Sequence, residues 1–325
     1  MSTKELLLEQ LIRSENDYIS GSRIARNLGI SRNSIWKAVK SLQADGYVID
    51  AVTNKGYRLT SSPDIIDEPS IRKYLDTKKI GMDIIILDET DSTNNYARNI
   101  AESGAGSGTV VIANKQTSGK GRMGRTFVSP VNSGIYMSIV LKSSVDIETA
   151  QLLTSCIAVA VSEALDSLYK CNSAIKWVND IMVNDKKVCG ILTEAAVNCE
   201  TADFKYIIAG IGINVGTVRQ TFDEQLLEIA SSMEDETGIR NPRSRIIAEV
   251  LSRLECHLEK LKTKEFIEEY RRRSWIIGRK ITVCTNMHEK NATAVDIDSS
   301  AGLLVEYEDG TQEIISSGEA RVRRN

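Results

Sequence analysis

The chain has 325 residues, 42% hydrophobic and 26% charged, with a net charge of −3, a composition that suits two or three folded domains and excludes a disordered chain. No run approaches the roughly 18–20 apolar residues of a membrane span, and the most apolar helical stretch, 152–168, is broken by Thr154, Ser155, Ser162 and Glu163. The first five residues lack a signal-peptide pattern, so a cytoplasmic protein without membrane contact is the expectation.

Six scattered cysteines without a C-x-x-C pair argue against a disulfide framework. With two histidines, His257 and His288, zinc sites and histidine relays have almost nothing to work with. His257 falls inside a helical apolar pattern and reads as packing. Chemistry here must run on Lys, Arg, Asp and backbone groups.

Charge is uneven. Residues 1–62 carry nine Lys/Arg against six acids, which leaves −6 for the remainder. In this head, Ser2 and Thr3 can cap a helix with Leu7, Leu8, Leu11 and Ile12 on one face. Ser20 caps a second helix, Gly29 supplies a turn, and Ser31 caps a third helix running to about residue 43. That third helix buries Ile35, Val39 and Leu42 and shows Arg32, Asn33, Ser34, Lys37 and Lys40. A hairpin follows with a turn at residues 54–56, so Lys55 and Arg58 make a basic wing. The pattern is a winged helix-turn-helix, with Ser31, Arg32, Asn33, Ser34, Lys37, Lys40, Lys55 and Arg58 as candidate DNA contacts. A protein-interaction module is the alternative, because +3 is a modest charge. Residues 61–63 read as a linker.

From about 65 to 273, strand-like and helix-like patterns alternate, as in a mixed α/β domain. A strand at 84–87 runs into Ser92, Thr93 and Asn94 before a helix from about 95 to 102, where the hydroxyls are either caps or ligand contacts. Residues 115–125 interleave Gly119, Gly121 and Gly124 with Lys115, Lys120, Arg122 and Arg125, and no acid occurs between Glu102 and Asp146. Glycines permit close backbone approach and the cations face an anion, so a polyphosphate or acyl phosphate fits; a basic surface loop without a ligand is the alternative. The literal G-x-G-x-x-G match is not a Rossmann fingerprint, because it opens no helix and lacks the acid roughly 20 residues on. Residues 174–183 read as a strand interrupted by Lys176, Asn179 and Asp180, a costly pattern unless those groups meet partners. A returning strand brings Lys187 near Asp180, which a structural salt bridge would also explain. A buried strand at 206–215 ends in a tight turn with an exposed amide, Asn214.

The segments 115–125, 176–180, 187–192 and 210–214, in that order, resemble bacterial biotin–protein ligases, and the head makes the likeness closest to the bifunctional ligases that also repress a biotin operon. The resemblance covers essentially the whole chain. It implies an α+β multidomain protein: a winged helix-turn-helix at 1–62, a class II synthetase-like catalytic domain at 65–273, and an SH3-like β-barrel at 274–325. The short strand pattern after residue 276 independently reads as a small β-barrel. Biotin and Mg²⁺-bound ATP are the implied ligands. Ser92, Thr93, Asn94 and Gln116 would meet the ureido end of biotin, and Gly119, Lys120, Gly121 and Arg122 would fold over biotinoyl-AMP. Lys187 would hold the carboxylate and then the bridging phosphate. Arg122, Arg125, Phe127, Lys176, Asn179 and Asn214 would serve the nucleotide, with Asp180 positioning Mg²⁺ or the incoming lysine of a biotin carboxyl carrier protein. Lys187, Asp180 and Arg122 are thus the implied catalytic set. Lys120, Phe127 and Val178 stand where the family usually has Arg, Trp and Pro. Operator DNA and a homodimer formed with biotinoyl-AMP as corepressor complete the implied partners. Two alternatives remain: a lipoyl or octanoyl transferase of the same fold, which would lack partners such as Ser92 and Gln116 and, if it works through a thioester, need a cysteine where only Cys189 in an apolar strand-like run is near, and a repressor whose ligase half only senses a small molecule.

Overall fold

The computed structural model describes residues 2–14, 17–61, 64–142, 147–197, 204–284 and 289–323. Ser62 and Pro63 of the expected linker, Cys199 and His288 lie outside them. The chain forms two compact units, residues 1–75 with 242–248, and residues 76–241 with 249–325.

In the first unit, α1 (Thr3–Arg13), α2 (Gly21–Leu28) and α3 (Arg32–Ala44) precede the hairpin β1 (Val48–Val52) and β2 (Gly56–Ser61), then α4 (Glu68–Arg72). Each of the first three helices starts on a serine whose hydroxyl accepts a backbone N–H of the first turn, Ser2, Ser20 and Ser31. Ser2 and Glu5 complete a capping box. Leu7, Leu11, Ile24, Ile35 and Leu42 are fully buried between the helices, as their spacing requires. Gly29 closes α2 in the left-handed conformation. The wing is held to the helices by Ile19 and Tyr57, which exchange backbone hydrogen bonds of 2.9 and 3.0 Å.

The second unit is built on a seven-stranded sheet in the order β3-β4-β5-β9-β8-β7-β6. Its strands are β3 (Ile84–Leu87), β4 (Val110–Ala113), β5 (Gly134–Leu141), β6 (Ala174–Lys176), β7 (Asp180–Val183), β8 (Lys186–Val197) and β9 (Phe204–Asn214), with α5 (Thr93–Glu102) and α6 (Ile147–Tyr169) between them. Only β3 and β4 pair in parallel. The helix α6 is long and apolar enough to cross a membrane, but 72% of its apolar window is buried in the protein, so it is a core helix. After α7 (Glu224–Leu227), α8 (Met233–Thr237), α9 (Arg243–Glu259) and α10 (Phe266–Arg272) comes an antiparallel five-stranded sheet, β13-β12-β11-β10-β14. It comprises β10 (Lys280–Cys284), β11 (Glu289–Ile297), β12 (Leu303–Tyr307), β13 (Gln312–Ile315) and β14 (Glu319–Val322).

Three expectations need correction. Residues 174–183 are not one strand but the hairpin β6–β7, because Lys176 pairs with Asp180 and leaves Trp177, Val178 and Asn179 at the turn. The polar groups therefore sit at a turn, where Asn179 donates to the Lys176 and Ile191 carbonyls, rather than in mid-strand. Asn214 is buried, 6% exposed, since its amide turns inward to donate to the Ser231 carbonyl at 2.9 Å. Finally, β14 escaped the strand pattern, being only four residues long at the edge of its sheet, where β10 is its one neighbour.

Candidate active site

A cleft open to solvent lies on the seven-stranded sheet. Its floor is β5, β8 and β9, and its wall is the segment from Gln116 to Phe127. One end is uncharged. There α5 begins at Thr93, two residues earlier than expected, which puts Ser92 at the N-cap position. The Ser92 hydroxyl makes no capping hydrogen bond although the residue is 2% exposed, so its side chain is not committed to the helix. Asn94 Nδ2 donates to Glu194 at 2.6 Å, and Ser138 Oγ donates to Asn94 Oδ1 at 2.6 Å and lies 2.7 Å from Thr93 Oγ1. Arg98 holds the other Glu194 oxygen at 2.8 Å. Gln116 accepts from the Thr93 backbone N–H at 2.8 Å. The result is a rigid set of hydroxyls and amides suited to a neutral polar ring.

The other end is cationic. The 119–127 segment folds back on itself: Gly121 N donates to the Arg125 carbonyl at 2.7 Å and Phe127 N to the Gly119 carbonyl at 2.9 Å. Lys120 and Arg122 line the cleft with Lys187, and the described lining residues include no carboxylate. Lys187 Nζ lies 2.7 Å from Asp180 Oδ1. Each of these cations rests on a protein group: Lys120 donates to Asn95 at 2.9 Å, and Arg122 to Asn179 at 3.3 Å and to the Gly318 carbonyl at 3.0 Å. Phe127 lays its ring against Gly212 and Gly190 and meets Tyr136 edge-on, centroids 6.3 Å apart.

Ser92, Thr93, Asn94, Gln116, Lys120, Gly121, Arg122, Phe127, Asn179 and Lys187 all line this one cleft. Gly119 sits at the loop base and Asp180 behind Lys187. Arg125, Lys176 and Asn214 are not among the lining residues: Arg125 is paired with Glu319 at 2.7 Å, Lys176 is in the β6–β7 ladder and Asn214 is bonded to Ser231. Ser138, Glu194 and Glu319 were not legible as site residues, because their partners lie 44 to 194 positions away in sequence. Burial pushes the Glu319 carboxyl up, but Arg125 and Arg321 outweigh it and hold it below the ordinary carboxylate range. Glu319→Ala is expected to loosen the loop in the ligand-free protein. Arg125 is 61% exposed, so the pair contributes no more than about 1 kcal/mol, and tryptic cleavage after Arg122 and Arg125 should quicken by up to about fivefold. Unchanged cleavage would show that the pair does not restrain the loop.

Cys189 is fully buried and burial pushes its thiol well up, the opposite of a nucleophilic cysteine. His257 is bonded to Glu163 at 2.9 Å, a packing role.

In the head, Arg32, Asn33, Lys37 and Lys40 are exposed on α3, while Ser31 and Ser34 close its N-terminus, 2.8 Å apart through their hydroxyls. Trp36, 51% exposed on the same helix, joins this surface, an apolar residue that helical patterning alone would assign to the core. Lys55 is exposed at the wing tip. Arg58 is instead paired with Asp50 at 2.7 Å and stacked over Tyr18, its guanidinium 4.5 Å from the ring centroid.

Residues 86–214 match the Biotin/lipoate A/B protein ligase family, residues 276–323 the Biotin protein ligase C terminal domain, and residues 3–58 an HTH domain. With the cleft above, these matches define a protein ligase that carries a helix-turn-helix. The chain is 35% identical over 318 residues to the Bifunctional ligase/repressor BirA of Bacillus subtilis, covering 96% of each. It is 28% identical to that of Escherichia coli, over 95% of this chain and 94% of the relative. The chain belongs to the bifunctional ligase/repressor BirA family. The fold agrees with a biotin protein ligase from Aquifex aeolicus solved in complex with biotin and ATP, with a TM-score of 0.65 and 29% identity over 75% of this chain and 100% of that one.

Proposed function

We propose that this chain joins biotin to ATP as biotinoyl-5'-AMP, transfers the biotinoyl group to a lysine of a biotin carboxyl carrier protein, and represses biotin genes through its head. The observation that carries this reading is the cleft's polarity: hydroxyls and amides at one end, Lys120, Arg122 and Lys187 at the other, and no carboxylate among the described lining residues. Such a cleft suits a neutral ring whose tail ends in an anion that must meet a second anion.

In the first step a biotin carboxylate oxygen attacks the α-phosphorus of ATP and the bond to pyrophosphate breaks. The protein's task is to hold two anions together and neutralise the charge that develops. Ser92, Thr93, Asn94 and Gln116 would hold the ring; Lys187 would hold first the carboxylate and then the bridging phosphate. Gly119 to Arg122 would cover the adenylate and keep water from it. Phe127 and Asn179 border the nucleotide's share of the cleft, while Arg125, Lys176 and Asn214 would have to act from outside its present lining. In the second step the carrier lysine attacks the acyl carbon, AMP leaves, and Asp180 orients the amine or takes its proton.

Among the described residues no three potential ligand side chains gather to hold a metal. Mg²⁺ therefore fits as the escort of ATP, with phosphate and water supplying most of its ligands and Asp180, now paired to Lys187, available as one. It would neutralise phosphate charge.

The functional parts proposed are 1–62 for operator DNA, 65–273 as a class II synthetase-like catalytic domain, and 274–325 as an SH3-like module. Exposed Arg32, Asn33, Lys37, Lys40 and Lys55 support the first. Biotinoyl-AMP would act as corepressor by ordering the 119–127 segment for homodimerisation, which doubles the weakly charged head's contacts. Sedimentation should then show a monomer without ligand and a dimer with biotinoyl-AMP; one association state in both conditions sinks the coupling. For the ligase itself, biotin-dependent exchange of labelled pyrophosphate into ATP is the test. Its absence from folded protein with Mg²⁺ would leave a small-molecule-sensing repressor as the better account.

A further inference from the structure

A side-chain amide can present either its oxygen or its nitrogen to a ligand, and the neighbours decide which. Gln116 Oε1 accepts the Thr93 backbone N–H at 2.8 Å and lies 3.1 Å from the Thr93 hydroxyl oxygen. Its Nε2 donates to Ser129 Oγ at 2.9 Å. The Ser129 hydroxyl has one proton and gives it to the Phe127 carbonyl at 3.0 Å, a group that can only accept. Ser129 can therefore only accept from Gln116. A flipped amide would set an oxygen against oxygen lone pairs in a site where Ser129 is 6% exposed and water cannot relieve the clash.

The same serine closes the 119–127 segment. Phe127 N donates to the Gly119 carbonyl at 2.9 Å, and Gln116 N to the Ser129 carbonyl at 3.3 Å. A Cβ on Gly119 would stand 2.4 Å from the Phe127 oxygen, 2.8 Å from Ser129 Oγ and 3.0 Å from Gln116 Nε2, so these groups are packed into one knot.

We propose that Ser129 is a positioning residue of the ligand pocket: it locks the Gln116 amide with its nitrogen outward from Thr93 and ties that amide to the return end of the covering segment. Held this way, Gln116 keeps one N–H beyond the one given to Ser129, and that N–H calls for a hydrogen-bond acceptor on the ligand. The assignment rests on the cleft's reading as a biotin site and adds a residue that touches no ligand.

The test is calorimetric titration of the full chain with biotin, using wild type, Ser129→Ala, Gln116→Ala and the double variant, with the KM for ATP from exchange at saturating biotin. Ser129→Ala is expected to weaken biotin roughly five- to thirtyfold, the loss of one buried hydrogen-bond partner, while the KM for ATP stays within about twofold. In the Gln116→Ala background it should add nothing, and Ser129→Thr should recover most of the loss. Equal losses for biotin and ATP, or full additivity with Gln116→Ala, would overturn the assignment while leaving the biotin site intact. A wild type that binds no biotin would overturn the site reading and the assignment with it. If the alanine variant does not fold, Ser129→Cys, similar in size with a weaker donor, carries the same comparison with a smaller expected loss.

Discussion

Lys187→Ala is expected to lower biotin-dependent pyrophosphate exchange by about 10²- to 10³-fold, the magnitude seen when one charge-stabilising donor is removed from a reacting site. The reason is local electrostatics. Lys187 stands 2.7 Å from Asp180, so its loss both deletes a cation and leaves a half-buried carboxylate unmatched beside two incoming anions. Lys187→Arg keeps the charge but spreads it over a planar fork on a different stem, and recovery should be partial. Folding should change little, because the pair is partly exposed and such pairs contribute no more than about 1 kcal/mol. Exchange within fivefold of wild type, at an unchanged melting temperature, would remove Lys187 from the chemistry.

Gly210→Ala should weaken biotin binding by about a hundredfold or more while leaving the head's DNA surface untouched. A Cβ at this position would lie 2.2 Å from Asn94 Oδ1 and 2.9 Å from its Cγ and Nδ2. Asn94 cannot simply lean away, since its amide is held by Ser138, Glu194 and the Leu192 carbonyl. Overpacking costs about 1–3 kcal/mol, and a buried polar group left unpaired costs about 1–3 kcal/mol more. The two together correspond to a loss on the order of a hundredfold or greater in affinity, with a lower melting temperature. Biotin titration checks it. Near-normal affinity in the variant would mean that Asn94 does not shape the binding end.

Local physics made the head readable. Ser2, Ser20 and Ser31 each cap the helix their position announced, and Leu7, Leu11, Ile24 and Leu42 are buried as helical spacing demands. The basic glycine segment and the Lys187–Asp180 pair were legible for a related reason: composition and a short hairpin place them. What the sequence hid is long-range. Nothing near Arg122 or Arg125 says that Gly318 and Glu319 will receive them, and an alternating apolar run gave no sign that Lys176 and Asp180 face each other across a turn. Asn214 was misjudged because a polar residue at a strand end usually faces water, whereas here a carbonyl from residue 231 meets it inside.

Gly190, Gly210 and Gly212 share the cleft floor, with Gly190 and Gly212 paired across neighbouring strands. An added Cβ would press on a different side chain at each: the Lys187 ammonium 3.2 Å away, the Asn94 amide at 2.2 Å, the Phe127 ring at 2.6 Å. Each glycine is thus the seat of one side chain of the site, a void in the sheet shaped to what occupies it. A saturation library at Gly210 and Gly212, selected for survival without another ligase, should return glycine alone. Gly190 should admit alanine in the weakest survivors, because a flexible lysine tail can yield where an amide in a hydrogen-bonded clamp cannot.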